Sequence, residues 1–431
     1  MGKKIPILIA SLSLVSLIPL QGVKAGYSKF IRVLILEAKD LSFRSDGAQP
    51  ILVRGLDLKY KEKSLTSLKL KIENGQVRSI TNGSYGRSAK KPIKSDLRIR
   101  SRDPRGIWLG TRRYAGELRV FQDGNKFKVV NHLPIEKYLK SVVGAEVPKS
   151  WPSEALKAQA IAARTYAVNQ IKSQNKFDIG SSISNQVYLG LESETPSIAK
   201  AVDATNSLVL VHNGNLIQAV FHSSSGGKTE NSGSVWKHQK PYLVSVKDYD
   251  QNSPNFEWKK SIKPEELYSI FYKIGGVNAI RVTKLTSTNR ILEVLVYGPK
   301  GKAYLTGKEL RKKLNLKSTM LKFDMVPYMP ENIIKDNSSL LLSSEKANKS
   351  KRDKFPLPLP PLTNNSAYGY PKLPFLPSRY SLLISGFGSG HGVGMSQWGA
   401  YGMAIEGASY QRILQHYYKG VRIKNYSYLY N

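Results

Sequence analysis

The chain has 431 residues, 41% of them hydrophobic, which is too long for one compact core and typical of about two or three domains. It carries 66 Lys and Arg against 31 Asp and Glu, a net charge of +35, and no cysteine. The absence of cysteine excludes disulfides, thiol nucleophiles and cysteine-ligated zinc. Any catalysis must therefore use Glu, Asp, His, Ser, Tyr or Lys.

The N-terminal segment has the pattern of a secretory signal peptide. Lys3 and Lys4 precede an apolar run from Ile5 to Leu20, and Val23-Lys24-Ala25 offers small residues at a cleavage position. We expect residues 1–25 to be removed; the alternative is an uncleaved anchor, which would be the only contact with a membrane. The expected location is therefore the periplasm or the cell wall, and in the uncleaved alternative the protein is anchored to the cytoplasmic membrane.

The positive charge by itself is typical of nucleic-acid binding. Export favours instead an anionic polymer of the cell envelope or a membrane surface, and no nucleic-acid partner is expected. The charge is spread over the whole chain, so a solvated basic surface remains the alternative.

Residues 26–130 are predicted to be rich in short strands. Apolar runs mark Ile31 to Ile35 and Leu118 to Phe121, and Asp123-Gly124-Asn125 predicts a hairpin turn after the second. Turns are also predicted at Asn74-Gly75 and Asn82-Gly83. This part shows no recognisable chemistry, so a support or recognition platform is expected.

Glu146 lies in the stretch on which the functional interpretation depends. A helix starting near Ile135 cannot run on through the following segment, because Pro148 and Pro152 interrupt it. Ser153 is predicted to cap a second helix. The carboxylate is therefore predicted at a corner between two helices.

The second helix is predicted to be central and buried, because alanines predominate from Ala155 to Ala167. Gln159, Arg164 and Tyr166 interrupt its apolar surface with hydrogen-bonding groups. A buried helix tolerates such groups only when they find partners. These three side chains are therefore candidates to line a site.

A hairpin is predicted after this helix, with strands at Ser207 to His212 and Leu216 to Phe221 around an Asn213-Gly214 turn. It leads into the small-residue loop His222 to Gly227, where another backbone or a polymer can come close. An ordinary serine-rich turn is the alternative interpretation of that loop.

Residues 261–330 are predicted to form a small α+β unit. Helices are expected at Pro264 to Tyr272 and Gly307 to Leu314, around strands at Ile280 to Val282 and Ile291 to Val296.

Residues 331–380 are rich in Ser, Lys, Asn and Pro and predict a disordered insertion. In residues 381–431, glycines crowd the segment from Gly386 to Gly402, and a closing helix is expected at Tyr410 to Tyr418. A nucleotide-binding loop is disfavoured because no Lys-Ser/Thr pair follows the glycines. His391 is a candidate base, a substrate hydrogen-bond donor or a buried structural histidine.

The surroundings of Glu146 favour acid chemistry. Its neighbours Val142, Val143, Val147 and Trp151 are apolar, and desolvation would raise the pKa of the carboxyl. Ordinary glycoside hydrolysis needs a second carboxylate roughly 5 to 9.5 Å away, and neither glycine-rich motif offers one. A salt-bridged residue at a helix corner is the structural alternative.

Three motifs in this order resemble the stage II sporulation protein D family, which includes the amidase-enhancer proteins. They are LPIEKYLKSVVGAEVPKSWPSEALKAQAIAARTYAV, VFHSSSGGKTE and GHGVGMSQWGAYGMA. The resemblance implies an exported lytic transglycosylase that cuts peptidoglycan glycan stripped of stem peptides and needs a single carboxylate. The alternative that it implies is a non-catalytic enhancer of a cell-wall amidase.

The resemblance also implies roles for residues. Glu146 matches the catalytic acid, and the candidate substrate-positioning residues are Gln159, Arg164, Tyr166, Ser223, Ser224, Ser225, His391 and Gln397. Some family members bind zinc through histidine and cysteine around the serine-glycine loop. Here Ser225 stands in that loop and only His222 remains, so neither a metal nor another cofactor is expected.

The predicted fold class is α+β, with a β-rich N-terminal part and a mixed catalytic core built from discontinuous segments. Residues 131–260 and 381–431 are expected to form that core together, with the 261–330 unit and the insertion between them.

Overall fold

The computed structural model describes residues 30–47, 49–56, 61–82, 96–171, 174–182, 185–328 and 380–429. The predicted signal segment, nearly all of the predicted insertion and Gly83 of one predicted turn lie outside these residues. Within them the chain combines helices with many strands in several sheets, which confirms the α+β fold class.

The N-terminal part contains the following strands: β1 Phe30–Ala38, β2 Asp40–Arg44, β3 Ile51–Arg54, β4 Lys63–Leu65, β5 Ser67–Glu73, β6 Gln76–Asn82, β7 Leu97–Ser101, β8 Ile107–Leu109, β9 Arg112–Tyr114, β10 Glu117–Asp123 and β11 Lys126–Pro134.

The helices that the structure describes are α1 Ile135–Glu146, α2 Ser153–Gln170, α3 Pro196–Ala204, α4 Ser232–Val235, α5 Pro264–Ile270, α6 Gly307–Lys313, α7 Gln397–Ile405 and α8 Tyr410–Tyr417. The later strands are β12 Ile179–Gly180, β13 Leu208–His212, β14 Asn215–Leu216, β15 Phe221–His222, β16 Glu257–Ile262, β17 Ala279–Leu285, β18 Ile291–Gly298, β19 Gly301–Thr306, β20 Met320–Pro327, β21 Tyr380–Phe387, β22 Met395–Ser396 and β23 Arg422–Asn425.

Two sheets enclose the N-terminal core. The larger has the strand order β12-β1-β11-β10-β7-β3-β4, and the smaller has the order β6-β5-β2-β8-β9. Buried and exposed residues alternate along β5 and β7, so each sheet turns one apolar face inward. The predicted hairpin is confirmed, because Gly124-Asn125 joins the paired strands β10 and β11.

The apolar side chains of α1 and α2 continue this core. Ile135, Leu139 and Val142 of α1 belong to the same buried cluster as the inward residues of both sheets. The prediction that Ser153 caps α2 is wrong, because Pro152 occupies the cap position and no side chain caps the helix. Proline can begin a helix because the first backbone N–H groups have no intrahelical partner.

The hairpin predicted after α2 is only partly formed. β13 and β14 pair at Val211 with Leu216 and at His212 with Asn215, and the other neighbour of β13 is β23. Beyond Leu216 the chain leaves the sheet, and β15 pairs in parallel with β22. The apolar residues after the turn are buried by a second core, shared with α7 and α8, so tertiary packing decides their conformation.

The 261–330 unit has the expected elements. α5 and α6 match the predicted helices to within a few residues, and β17 and β18 contain the predicted strands. β21, from beyond the predicted insertion, is the central strand between β16 and β20. The glycine-rich segment therefore starts from the sheet of this unit. Within the part of the chain that the structure describes, no helix has both the length and the apolar character of a bilayer span.

Candidate active site

Glu146 is the last residue of α1, and its side chain is half-buried. Val147 leaves the helix in an extended conformation. Two residues earlier, a Cβ on Gly144 would come within 2.0 Å of the carbonyl oxygen of Ser193. The end of α1 is thus pressed against the neighbouring backbone, which fixes the position of Glu146.

Two hydrogen bonds orient the Glu146 carboxylate. Oε1 accepts the backbone N–H of Val187 at 3.0 Å, and Oε2 accepts Nε2 of Gln397 at 3.2 Å. Burial raises the pKa of Glu146. The two hydrogen bonds lower this pKa, but by less than burial raises it. The carboxyl therefore keeps its proton to a higher pH than a free glutamate, as a general acid requires.

The donor Val187 is held by its neighbour Gln186, which is fully buried. Gln186 Oε1 accepts the Tyr138 hydroxyl at 3.0 Å, and its Nε2 donates to the carbonyl of Ala163 at 3.1 Å. One amide thus connects α1 and α2 to the segment that contacts Glu146. Gln186 was not predicted from the sequence, where its only signal is a polar residue beside the apolar Val187.

Gln397 reaches Glu146 because it begins α7. The Ser396 hydroxyl caps this helix by accepting the N–H of Gly399 at 3.1 Å. The N–H of the preceding residue, Trp398, donates to the carbonyl of Ser223 at 3.0 Å. The glycine-rich segment and the serine loop are therefore joined where the Gln397 amide approaches the acid.

Three aromatic rings pack together beside Gln397. The ring centroids of Trp151 and Trp398 are 5.1 Å apart, and Tyr401 lies 5.1 Å from the first and 5.3 Å from the second. Trp398 and Tyr401 are half-buried and retain exposed surface. These rings offer an apolar wall near the carboxylate.

The hydroxyls of Ser224 and Ser225 are buried and donate hydrogen bonds within the protein. Ser224 donates to Asp250 at 2.5 Å, and Ser225 donates to Asp248. Asp250 also accepts the N–H groups of Gly226 and Gly227 at 2.8 and 2.9 Å. Neither aspartate was predicted from the sequence, and their contacts fix the shape of the loop.

Asp248 is buried, and burial together with the nearby Asp250 raises its pKa. Its remaining oxygen accepts the Tyr417 hydroxyl of α8 at 2.5 Å. The loop is therefore tied to the C-terminal helix, while Ser223 stays half-buried at the junction with α7.

Arg164 is fully buried and donates to both carboxylate oxygens of Glu136 at 2.9 and 2.7 Å. It also donates to the carbonyls of Val202 and Leu208, each at 3.2 Å. These contacts join α1, α2, α3 and β13. A substrate contact for Arg164 stays a prediction, since the described polar contacts of this side chain are all within the protein.

Gln159 and Tyr166 occupy different environments on α2. Gln159 is 1% exposed, and neither atom of its amide has a hydrogen-bond partner among the described residues. Tyr166 is half-buried and borders both core clusters. Burial, the Glu146 carboxylate and Tyr166 together raise the pKa of Tyr138 well above its ordinary value. Tyr166 thus lies in the same neighbourhood as the acid.

His391 packs between two rings, with centroids 5.4 Å from His222 and 5.3 Å from Trp236. Its Nδ1 accepts the N–H of Val393 at 3.1 Å. Burial, with help from Arg311 and Arg290, lowers the pKa of His391 to about 4. The ring is therefore neutral at neutral pH.

The residues around the serine loop do not match the zinc site that the resemblance implies for some relatives. His222 Nδ1 contacts the carbonyl of Val393 at 3.1 Å, and only its Nε2 is without a partner in the described part of the chain. The described part of the chain contains no group of three His, Asp or Glu side chains placed to hold a metal. A closed zinc site needs four ligands, so no step of the chemistry is assigned to a metal.

Comparison with known proteins identifies several relatives. Residues 123–212 match the family described as SpoIID, Stage II sporulation protein. The chain is 33% identical over 328 residues to an uncharacterized protein of Brachyspira hyodysenteriae, covering 75% of each chain. It is 28% identical over 314 residues to stage II sporulation protein D of Bacillus subtilis, covering 68% of this chain and 75% of that protein. It is also 31% identical over 307 residues to the amidase enhancer of Bacillus subtilis, covering 67% of this chain and 40% of that protein.

Proposed function

Because the chain belongs to the stage II sporulation protein D family, we propose that it acts outside the cytoplasm on the cell wall, as a lytic transglycosylase of denuded glycan. The names of its relatives support a role at the cell wall. The observation that carries the catalytic assignment is the half-buried Glu146, whose pKa burial raises and whose two oxygens are each held by a donor.

The proposed reaction uses this one carboxyl twice. Protonated Glu146 gives its proton to the oxygen of the glycosidic bond, and that bond to carbon 1 of the muramic acid breaks. The carbon-6 hydroxyl of the same sugar then attacks carbon 1, and the Glu146 carboxylate takes the hydroxyl proton. A 1,6-anhydro ring forms without water, so no second carboxylate is needed to activate water.

The surroundings of Glu146 suit such a substrate. Gln397 and the N–H of Val187 hold the carboxyl in one orientation, which lowers the cost of aligning it with the bond. Trp398 and Tyr401 expose part of their rings next to Gln397, and aromatic faces are suitable contacts for the apolar face of a sugar ring.

The test is digestion of amidase-treated peptidoglycan, followed by mass analysis of the new chain ends. Wild-type protein is expected to release 1,6-anhydromuramic acid ends, and Glu146→Gln is expected to reduce the rate at least about a hundredfold. Reducing ends without the anhydro form, or cleavage that is independent of Glu146, would rule the proposal out.

The second candidate is a non-catalytic protein that binds glycan and stimulates an amidase, and the amidase-enhancer relative favours it. In that case Glu146→Gln protein would stimulate a cell-wall amidase as well as the wild type does. Measuring stimulation and anhydro ends in the same digestion separates the two functions.

A further inference from the structure

Three arginines lie side by side on the outward face of the larger N-terminal sheet. Arg54 of β3 is directly opposite Arg98 of β7, and Arg98 is directly opposite Arg119 of β10. Their sequence neighbours, such as Val53, Leu97 and Ile99, are buried on the inward face. The three side chains therefore point to the same, outer side of the sheet.

Like charges directly opposite each other destabilise a sheet, and this row has little internal compensation. Among the described residues, Arg54 and Arg98 are exposed and have neither an ion pair nor a hydrogen bond. Glu117 pairs with Arg119, the third member of the row, and Glu62 pairs with Arg100, so neither of these two carboxylates forms an ion pair with Arg54 or Arg98. The row thus holds uncompensated positive charge.

The dimensions of the row suit a linear polyanion. Neighbouring strands lie about 4.8 Å apart, so Arg54 and Arg119 have backbones about 10 Å apart. Guanidinium groups bind carboxylates in a bidentate manner that lysines cannot reproduce. A sheet face with several such groups in a row can hold an extended chain whose anionic groups repeat along it.

Denuded glycan is a polymer of this kind. When an amidase hydrolyses the amide between the stem peptide and the lactyl group, a free carboxylate remains on each muramic acid. The carboxylates then lie on the sugar strand itself, at every second sugar. In intact peptidoglycan the same lactyl carbonyl is part of a neutral amide.

Resting on the proposed function, we infer that the outward face of β3, β7 and β10, called here the arginine face, binds denuded glycan through its lactyl carboxylates. The inward side of this sheet shares its core with α1, so the arginine face is on the far side of the sheet from that core. It is therefore a second binding surface, separate from the contacts of Glu146. A glycan strand long enough to contact both surfaces would raise the effective concentration of substrate at the site.

The experiment measures binding of fluorescent denuded glycan to the full-length Glu146→Gln protein, which leaves the glycan uncut. Replacing Arg54 and Arg98 together by Gln is expected to weaken binding about tenfold at low salt, and added salt should reduce the difference. The matched control replaces Lys308 and Lys312, two exposed residues of α6, by Gln. It removes the same number of positive charges away from the arginine face. This control is expected to bind the glycan as tightly as the Glu146→Gln protein itself, which is the parent of both variants.

Two further ligands test the chemistry of the occupant. Glycan whose lactyl carboxylates have been amidated should bind the parent as weakly as denuded glycan binds the double arginine variant. A polyol phosphate polymer should bind less tightly than denuded glycan. Tighter, arginine-dependent binding of the phosphate polymer, or equal binding of the double variant and its parent, would overturn the inference.

Folding and catalysis are checked separately. The double arginine variant should melt at the same temperature as its parent or higher, because like-charge repulsion is removed. A lower melting temperature together with weaker binding would count against the inference. Arginine-dependent binding without any anhydro product in the wild type would refute the proposed function alone. Anhydro product without arginine-dependent binding would refute only the inference that the arginine face binds glycan.

Discussion

At the scale of single residues, Glu146 is defined by opposing influences on one carboxyl. Burial raises its pKa, while Val187 and Gln397 donate hydrogen bonds that favour the charged form. The first proton transfer needs the acid form. Activity is therefore expected to fall as pH rises through the raised pKa of Glu146.

Gln397→Met removes one of the two donors and should raise the pKa of Glu146 further. The high-pH limb of the activity profile is then expected to move to higher pH, with a lower maximal rate because the carboxyl is less well oriented. The control is Gln122→Met, whose amide bonds to the carbonyl of Gly124 in an exposed hairpin. A high-pH limb that stays in place would show that Gln397 does not act on the acid.

Arg164→Met is expected to lower the free energy of unfolding by about 3 to 5 kcal/mol, because Glu136 is left without its buried partner. The Michaelis constant for glycan should not change. Urea unfolding and initial rates measure the two effects.

The matched control is Arg113→Met, which breaks an exposed pair with Glu192 and should cost less than about 1 kcal/mol. A raised Michaelis constant for Arg164→Met, with stability retained, would support the predicted contact between Arg164 and substrate.

At the scale of elements, the glycine-rich segment connects β21 to α7. Gly388, Gly390, Gly392 and Gly394 all have positive φ, between 70° and 115°. A Cβ at Gly394 would come within 2.2 Å of the backbone oxygen of Val220. Glycine is needed here for conformation and for space, since other residues rarely adopt such φ angles.

Gly394→Ala is expected to destabilise the protein by more than the roughly 1 kcal/mol of backbone strain. Gly407→Ala is the matched control, because Gly407 has a similar φ of 85° but nothing within 4 Å of the added carbon. The melting temperature of Gly394→Ala should fall further than that of Gly407→Ala. Equal shifts would show that the contact with Val220 relaxes without cost.

Elements defined by local signals were predictable, whereas those that depend on distant partners were not. Gly124-Asn125 formed the expected hairpin because turn chemistry acts over a few residues. The strand predicted from Leu216 to Phe221 failed because β15 pairs with β22, from the distant glycine-rich segment. No local pattern contains that pairing.

At the scale of the whole molecule, histidine burial connects stability to pH. The pKa of His391 is lowered to about 4 from an ordinary value of 6.5, so the unfolded chain binds more protons between these values. The stabilising contribution is fully present above about pH 6.5 and is lost as pH falls towards 4. Its upper limit is about 3 kcal/mol.

His391→Asn should therefore show a smaller fall in melting temperature between pH 7 and pH 4.5 than the wild type shows. His238→Asn, at an exposed position, controls for the substitution itself. The idea fails if the wild type and His391→Asn lose the same number of degrees over this range.

The sequence by itself determined the family, the α+β class and the position of Glu146 at the end of a helix, because motifs, periodicity and prolines are local properties of the chain. The tertiary structure alone decided what surrounds Glu146. Val187 follows it by 41 residues and Gln397 by 251, and Asp248 and Asp250 shape the serine loop from outside the motif. Burial and hydrogen bonding set the chemistry of a carboxyl, and both come from segments that only the folded chain brings together.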